Sequence, residues 1–288
     1  MSIDVRALAI RFADLWAVDP HQMVDEIYAA DIVMENMANP ARLILGSTQL
    51  HAVEDELSAR IPEHRHELIR VIADHGAGDG IACLETTIVA PLTHEYAPAC
   101  VWWWIDDTGK VAAEVGWFDW ADRSTDSGHS HGTVPPARSY GVAARDRSRD
   151  QRVADEYARC WSDDPLRAGI EMFAPDCTFG HVGRGERRGI PALIDSRREL
   201  LGELPVGGRS MDVQRVIGEG SCVAMLVTIG DATRSTRGTI VLTLDDDDLI
   251  ISERTYCDWA KALPREPLSR GNSGTRPPVG SPGWTLRG

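Results

Sequence analysis

The chain has 288 residues, a length suited to about two domains, and its 43% hydrophobic and 26% charged residues fit a globular protein. Its 44 acidic against 30 basic residues leave a net charge of −14, the wrong sign for a phosphate-binding face, so no nucleic-acid partner is expected. No run of ~20 apolar residues is present to span a membrane, and the first residues, with Asp4 and Asp14, lack the apolar core of a signal peptide.

In chain order, Leu8, Phe12, Leu15 and Trp16 fall at helical spacing and predict a first helix, closed by Asp19-Pro20 because the position before proline disfavours helix. A second short helix, HQMVDEIYA, leads into a strand, IVMENM, in which alternation sets Met34 and Asn36 on one face and Val33 and Glu35 on the other. After Gly46 comes a third helix, STQLHAVEDEL, followed by four strand-like runs: HELIRVIADH, GIACLETTIVAP, ACVWWWIDD and KVAAEVGWFDW. Their β-branched and aromatic residues, separated by Gly and Asp turns, predict antiparallel hairpins.

The same series then recurs. FADLWAVDP matches YARCWSDDP and IYAADIVMENM matches MFAPDCTFGHV, both at an offset of 145, while VAAEVGWFDWAD matches IISERTYCDWAK at 139. A duplicated unit follows from this ordered set of matches. Residues 1–122 and 151–263 are read as two domains, residues 123–150 as a Ser/Gly/Pro-rich linker, and residues 264–288 as a disordered tail. Helices grouped before strands give an α+β class, and a curved antiparallel sheet over helices would enclose a conical pocket.

The six cysteines form no CxxC pair, and reduced thiols in a cytoplasmic protein are expected. No cofactor and no metal are expected: phosphate loop, dinucleotide fingerprint, nucleophile elbow and zinc-protease motif are all missing from the sequence. His129 and His131, within the linker, have no further ligand pattern around them. Asp31 and Asp176 are read as turn caps, Trp16 and Trp161 as core, Asp119 and Asp258 as strand ends, and the run Asp245–Asp248 as a hairpin turn.

Two helices, a short strand after A-x-D, a helix after Gly and then a β-meander resemble the NTF2-like (SnoaL-like, ketosteroid isomerase-like, cystatin-like) superfamily of cone-shaped α+β domains, here in tandem. YAADIVMENM, GIACLETT and VGWFDWAD make the first copy most similar to the limonene-epoxide hydrolase branch. That resemblance implies that Asn36 holds a nucleophilic water. The neighbouring tyrosine of the branch is Met34 here, its Arg-x-Asp pair falls near Glu85 to Ile88, and its last Asp falls at about Gly116. In the isomerase-like version the general base falls at Asn36 and His181, and the oxyanion-stabilising tyrosine near Phe12 and Tyr157.

Side-chain alternation puts Ile81, Cys83, Glu85 and Thr87 on one face, and Ala112, Glu114, Gly116 and Phe118 on one face of the last strand. By analogy with the fold both faces meet at the pocket, so Asn36, Glu85, Glu114 and His64 are the candidate catalytic residues of the first copy, with Trp102 or Trp104 nearby. In the second copy the candidates are Tyr157, His181 and Glu253, beside Arg209 and an apolar wall of Met225, Val227 and Ile229. Two carboxylates in a dry site suit opening of an epoxide, by water or an internal hydroxyl, with one as acid and one as base. His181 as base and Tyr157 as oxyanion donor would instead suit isomerase, dehydratase or aldol-cyclase chemistry. A non-catalytic binding or assembly protein is the third reading. The expected partner is a hydrophobic small molecule of polyketide, terpenoid or steroid type, as in secondary metabolism. The two domains are expected to pair as an intramolecular pseudo-dimer, with a homodimer also open.

Overall fold

A computed structural model describes residues 4–38, 43–73, 80–118, 147–164, 166, 170–181, 185–203, 210–230 and 235–257. The greater part of the expected linker, the tail, His129, His131, Asp119, Asp258 and Arg209 lie outside the described residues.

The first half runs α1 (Val5–Val18), α2 (Pro20–Ile27), β1 (Tyr28–Asn36), β2 (Leu43–Leu45), α3 (Ser47–Arg60), β3 (Arg65–Ala73), β4 (Ile81–Ala90), β5 (Glu95–Ile105) and β6 (Val111–Phe118). The second repeats it with α4 (Arg147–Asp163), β7 (Phe173–His181), β8 (Gly185–Arg188), α5 (Ile190–Glu203), β9 (Ser210–Glu219), β10 (Cys222–Gly230), β11 (Ser235–Leu244) and β12 (Ile250–Tyr256). The strands form two six-stranded sheets of identical order, β2-β1-β6-β5-β4-β3 and β8-β7-β12-β11-β10-β9. The chain is therefore α+β; the first half has the element order that the NTF2-like resemblance implies, and the second matches it from β7 onward, while the stretch corresponding to α2 lies partly outside the described residues.

Three details go beyond the sequence reading. Short edge strands β2 and β8 were not expected, and β1 and β7 pair in parallel with β6 and β12, so each sheet is mixed. Helix α4 starts at Arg147, inside the span expected to be linker.

Local chemistry explains the repeated entry to each unit. Asp19 ends α1 and caps α2, its side chain accepting from the Gln22 amide at 3.0 Å, with Pro20 at the first helical position. Gly46 and Gly189 sit at φ of +80° and +83°, where other residues are strained, and each amide donates to β1 or β7 (Ile32 and Cys177 carbonyls, 2.7 Å). That bond fixes where α3 and α5 begin, and so which of their side chains reach the sheet.

Each sheet is buried on both faces. The inner face of the first packs on α1, α2 and α3 through Phe12, Leu15, Trp16, Ile27, Leu50 and Leu84. Its outer face meets the outer face of the second sheet, where Ile72, Cys83, Trp102 and Trp117 pack with Ile217, Leu226, Val241 and Tyr256. Polar groups are matched across this seam. Arg254 donates to both Glu85 oxygens (Nε–Oε1 2.6 Å), Tyr256 donates to Glu85 at 2.8 Å, and Trp102 Nε1 donates to Thr239 Oγ1 at 2.9 Å. Arg70 lies 3.6 Å from Glu85 and donates to Thr243 Oγ1 at 3.1 Å. At its rim Arg237 pairs with Glu35 and Arg6 with Glu219.

Candidate active site

Directly opposed residues in neighbouring strands share a face. The row Met34–Glu114–Trp103–Ala82 crosses β1, β6, β5 and β4, and it faces the helices. Glu114 lies near its centre, 4% exposed, and its Oε2 accepts from Tyr28 OH at 2.7 Å and Trp103 Nε1 at 2.8 Å. Helix α3 supplies Glu54, which sits among Leu50, Val53 and Leu57 on the helix's apolar stripe and is also 4% exposed. Helix α1 contributes Phe12 and Trp16. The indole of Trp16 stacks on His66 at 3.4 Å, and His64 stands edge-on to it at 5.8 Å.

Electrostatics divide these groups. Burial raises Glu54 to about 8, reinforced by the charge of Glu114 and opposed by the nearby polar edge of Trp16. Burial raises Glu114 to about 7, opposed by the Tyr28 and Trp103 hydrogen bonds that favour its anion. Burial, then the neighbouring His64, holds His66 well below the usual range. His64 is lowered by burial against a bond to the Ile61 carbonyl. That carbonyl, 2.9 Å from Nδ1, can only accept, so Nδ1 carries the proton and Nε2 is left as an acceptor. Among the described residues, Trp16 Nε1, Glu54 Oε2, His64 Nε2 and His66 Nε2 are buried with no hydrogen-bond partner. Buried polar atoms are nearly always satisfied; Trp16 Nε1 and Glu54 lie near enough to satisfy each other, which leaves His64 Nε2 and His66 Nε2 as the places suited to a water or a ligand.

A raised carboxyl pKa stabilises the fold at low pH. In the unfolded chain both acids ionise near the usual 4.5, whereas in the fold they hold their protons to about 7 and about 8. Their contribution is therefore complete below the unfolded value and is lost as pH rises through the folded values. Urea titrations should show stability declining across that window, and Glu54→Gln should flatten the decline.

The second half uses the same positions differently. Glu253 matches Glu114, and Tyr157 on α4 donates to its Oε2 at 2.7 Å. Arg197 on α5, eight residues past Gly189 as Glu54 is past Gly46, takes the place of the second acid. Its Nη2 donates to the same Glu253 oxygen at 2.5 Å and to Tyr157 OH at 3.1 Å. Here a carboxylate meets a guanidinium; in the first half two acids meet no buried cation among the described residues of the pocket.

The expectation of one hollow holding Glu85, Glu114, Asn36 and His64 is therefore corrected in part. Glu114 and His64 stand on the helix side, both against the Trp16 and Phe12 cluster. Glu85 does not join them: opposite Cys100, which is opposite Trp117, it belongs to the outer face, 0% exposed and bound by Arg254 and Tyr256. Asn36 follows Met34 by alternation, but its side chain closes the strand end, Nδ2 donating to the Phe118 carbonyl and Oδ1 accepting from the Ala38 amide. Of the three tryptophans on β5, the one that joins the site is Trp103, not Trp102 or Trp104. In the second half Tyr157 and Glu253 are joined, and His181 lies one pair further along the same face, opposite Thr255. The hydroxyl of Tyr157 already donates to Glu253 and accepts from Trp161 and Arg197. Glu54, His66, Tyr28, Trp103 and Arg197 were missed; the α3 stripe signals Glu54, an acid among apolar residues at helical spacing.

Among the described residues no group of three or more His, Cys, Asp or Glu is placed to hold a metal, and no helix is long and apolar enough to cross a membrane. No family profile matches the chain, and no curated protein does. Similar solved structures include a candidate SnoaL-like polyketide cyclase from a Jannaschia species, 16% identical over 43% of this chain and 99% of that one, with a TM-score of 0.37. A candidate ketosteroid isomerase from Kribbella flavida is 15% identical over 46% of this chain and 93% of its own, with a TM-score of 0.34. An LEH-like epoxide hydrolase of M. tuberculosis is 17% identical over 40% of this chain and 86% of its own, with a TM-score of 0.33. Identities this low carry no information on chemistry.

Proposed function

We propose that the chain is a cofactor-independent enzyme that opens an epoxide on an apolar small molecule, of polyketide, terpenoid or steroid type, at the Glu54–Glu114 site. The observation that carries this reading is the pair of buried acids, raised to about 8 and about 7, set beside the Tyr28, Trp103, Phe12 and Trp16 aromatic cluster. Near neutral pH one holds its proton and the other is poised to lose it, which is the division that general acid/base catalysis needs.

Glu54 takes the place expected of Glu85 in the pair of acids and protonates the epoxide oxygen as its carbon–oxygen bond breaks. The new bond comes from water or a substrate hydroxyl, whose proton passes to Glu114. Tyr28 and Trp103 hold the Glu114 anion in place, and the acceptor His64 Nε2 suits a bound water. The cycle closes when one proton returns from Glu114 to Glu54 through solvent. Isomerase or cyclase chemistry at Tyr157 and His181 has less support, because the Tyr157 hydroxyl is already engaged on all sides.

The test is turnover of an apolar terpene epoxide across pH. The kcat should rise through about 7 as Glu114 ionises and fall through about 8 as Glu54 loses its proton; the two limits belong to the coupled pair rather than to either acid alone. Tight binding of epoxide and product analogues with no turnover would instead favour a binding protein.

The same reading takes residues 1–122 and 151–263 as the two domains, paired within one chain as an intramolecular stand-in for a dimer. The apolar seam supports this, and six cysteines outside any disulfide support a cytoplasmic setting.

A further inference from the structure

The second half contains a buried polar arrangement that epoxide opening in the first does not use. Arg197 is 2% exposed, and its guanidinium carbon lies 4.3 Å from the centre of the Trp161 ring, so its plane is held. Nη2 is satisfied by Glu253 and Tyr157, but Nε and Nη1 are buried with no hydrogen-bond partner among the described residues. Those two nitrogens carry three N–H donors. Trp161 and Tyr157 belong to a core cluster whose other members include Phe173, Leu193, Met211, Met225 and Val227, so the surroundings are apolar.

We propose that the second half is a separate ligand site, centred on Arg197, for an apolar molecule presenting a neutral acceptor oxygen: a ketone, lactone or ester carbonyl. Charge balance selects the neutral oxygen. Arg197 and Glu253 already cancel, so a carboxylate would leave an uncompensated buried charge, whereas a carbonyl satisfies the free donors and adds none. Tyr157 cannot serve as the donor, since its hydroxyl proton goes to Glu253. The contrast with the first half follows from one exchange in the duplicated helix, Glu54 for Arg197: a raised acid in one half, fixed donors in the other.

The experiment is calorimetric titration of the full chain with three probes of one skeleton: a bicyclic ketone (decalone), its hydrocarbon (decalin) and the matching carboxylate. Decalone should bind at least about tenfold more tightly than either, the scale of one hydrogen bond to a charged donor. Arg197→Met combined with Glu253→Leu removes both charges together, which avoids stranding one; it should erase the ketone preference, while Glu54→Gln should keep it. If the double variant does not fold, Arg197→Lys, which keeps the charge and loses the planar fork, should weaken the ketone and not the hydrocarbon. Equal binding of ketone and hydrocarbon, absence of binding, a tighter carboxylate, or a preference that survives loss of Arg197 overturns the proposal. So does a preference lost in Glu54→Gln, which would place the ketone in the first half. The proposal does not rest on epoxide opening.

Discussion

Glu114→Gln is expected to lower kcat on an epoxide substrate by about 10²–10⁴-fold, the range for loss of a positioned proton acceptor. The amide keeps the size of the side chain and still offers an oxygen to Tyr28 OH and Trp103 Nε1, which now stand 2.7 and 2.8 Å from Glu114. Packing is thereby preserved while the proton has nowhere to go. Glu54→Gln should produce a loss of similar size, and it should remove the alkaline limb of the pH profile instead of the acid limb. Steady-state kinetics of both variants, with circular dichroism to establish folding, check the assignment. Near wild-type turnover in folded Glu114→Gln would remove the acid/base reading altogether.

The largest stability effect is expected at Glu85. Glu85→Ala should cost about 3–5 kcal/mol, the usual penalty for removing one partner of a buried ion pair. The variant leaves Arg254, Tyr256 and Arg70 facing each other across the seam without the carboxylate that joins them. Urea unfolding of the full chain gives the number. Replacing the pair together, as Glu85→Leu with Arg254→Met, should recover most of it, because the neighbours Cys83, Leu226 and Val241 are apolar. A fall in turnover without a fall in stability would return Glu85 to the chemistry.

The sequence makes the duplication legible, because Asp19-Pro20, the glycines before α3 and α5 and the last strand recur in order. It also divides the faces of β4 correctly, with Cys83 and Glu85 together and Leu84 on the other side. What alternation could not say is which face meets the helices. A sheet with one solvated face announces its interior by polarity; this one is buried on both sides, so Ala82-Leu84 and Ile81-Cys83 look equally internal. Glu85 was therefore assigned to the pocket when it belongs to the seam. Tyr28 and Trp103 were beyond reach for another reason. Their meeting at Glu114 depends on the parallel pairing of β1 with β6 and on the β5–β6 register, both settled by contacts far apart in sequence.

The ion pair at the seam has one more property. Under the repeat, Glu85 corresponds to Leu226, since each lies opposite the matching position of the next strand (Cys100, Thr239), and Arg254 corresponds to Val115, next to the matched acids. The pair thus occurs once, and its counterpart across the seam is Leu226 with Val115. A first half docking on another first half would bury Glu85 against Val115 with only Arg70 of its own half beside it, and two second halves would bury Arg254 against Leu226 with no carboxylate opposite. The two surfaces therefore differ, and each half alone is expected to pair with the other half rather than with its own kind, a preference that mixing the separately expressed halves would check.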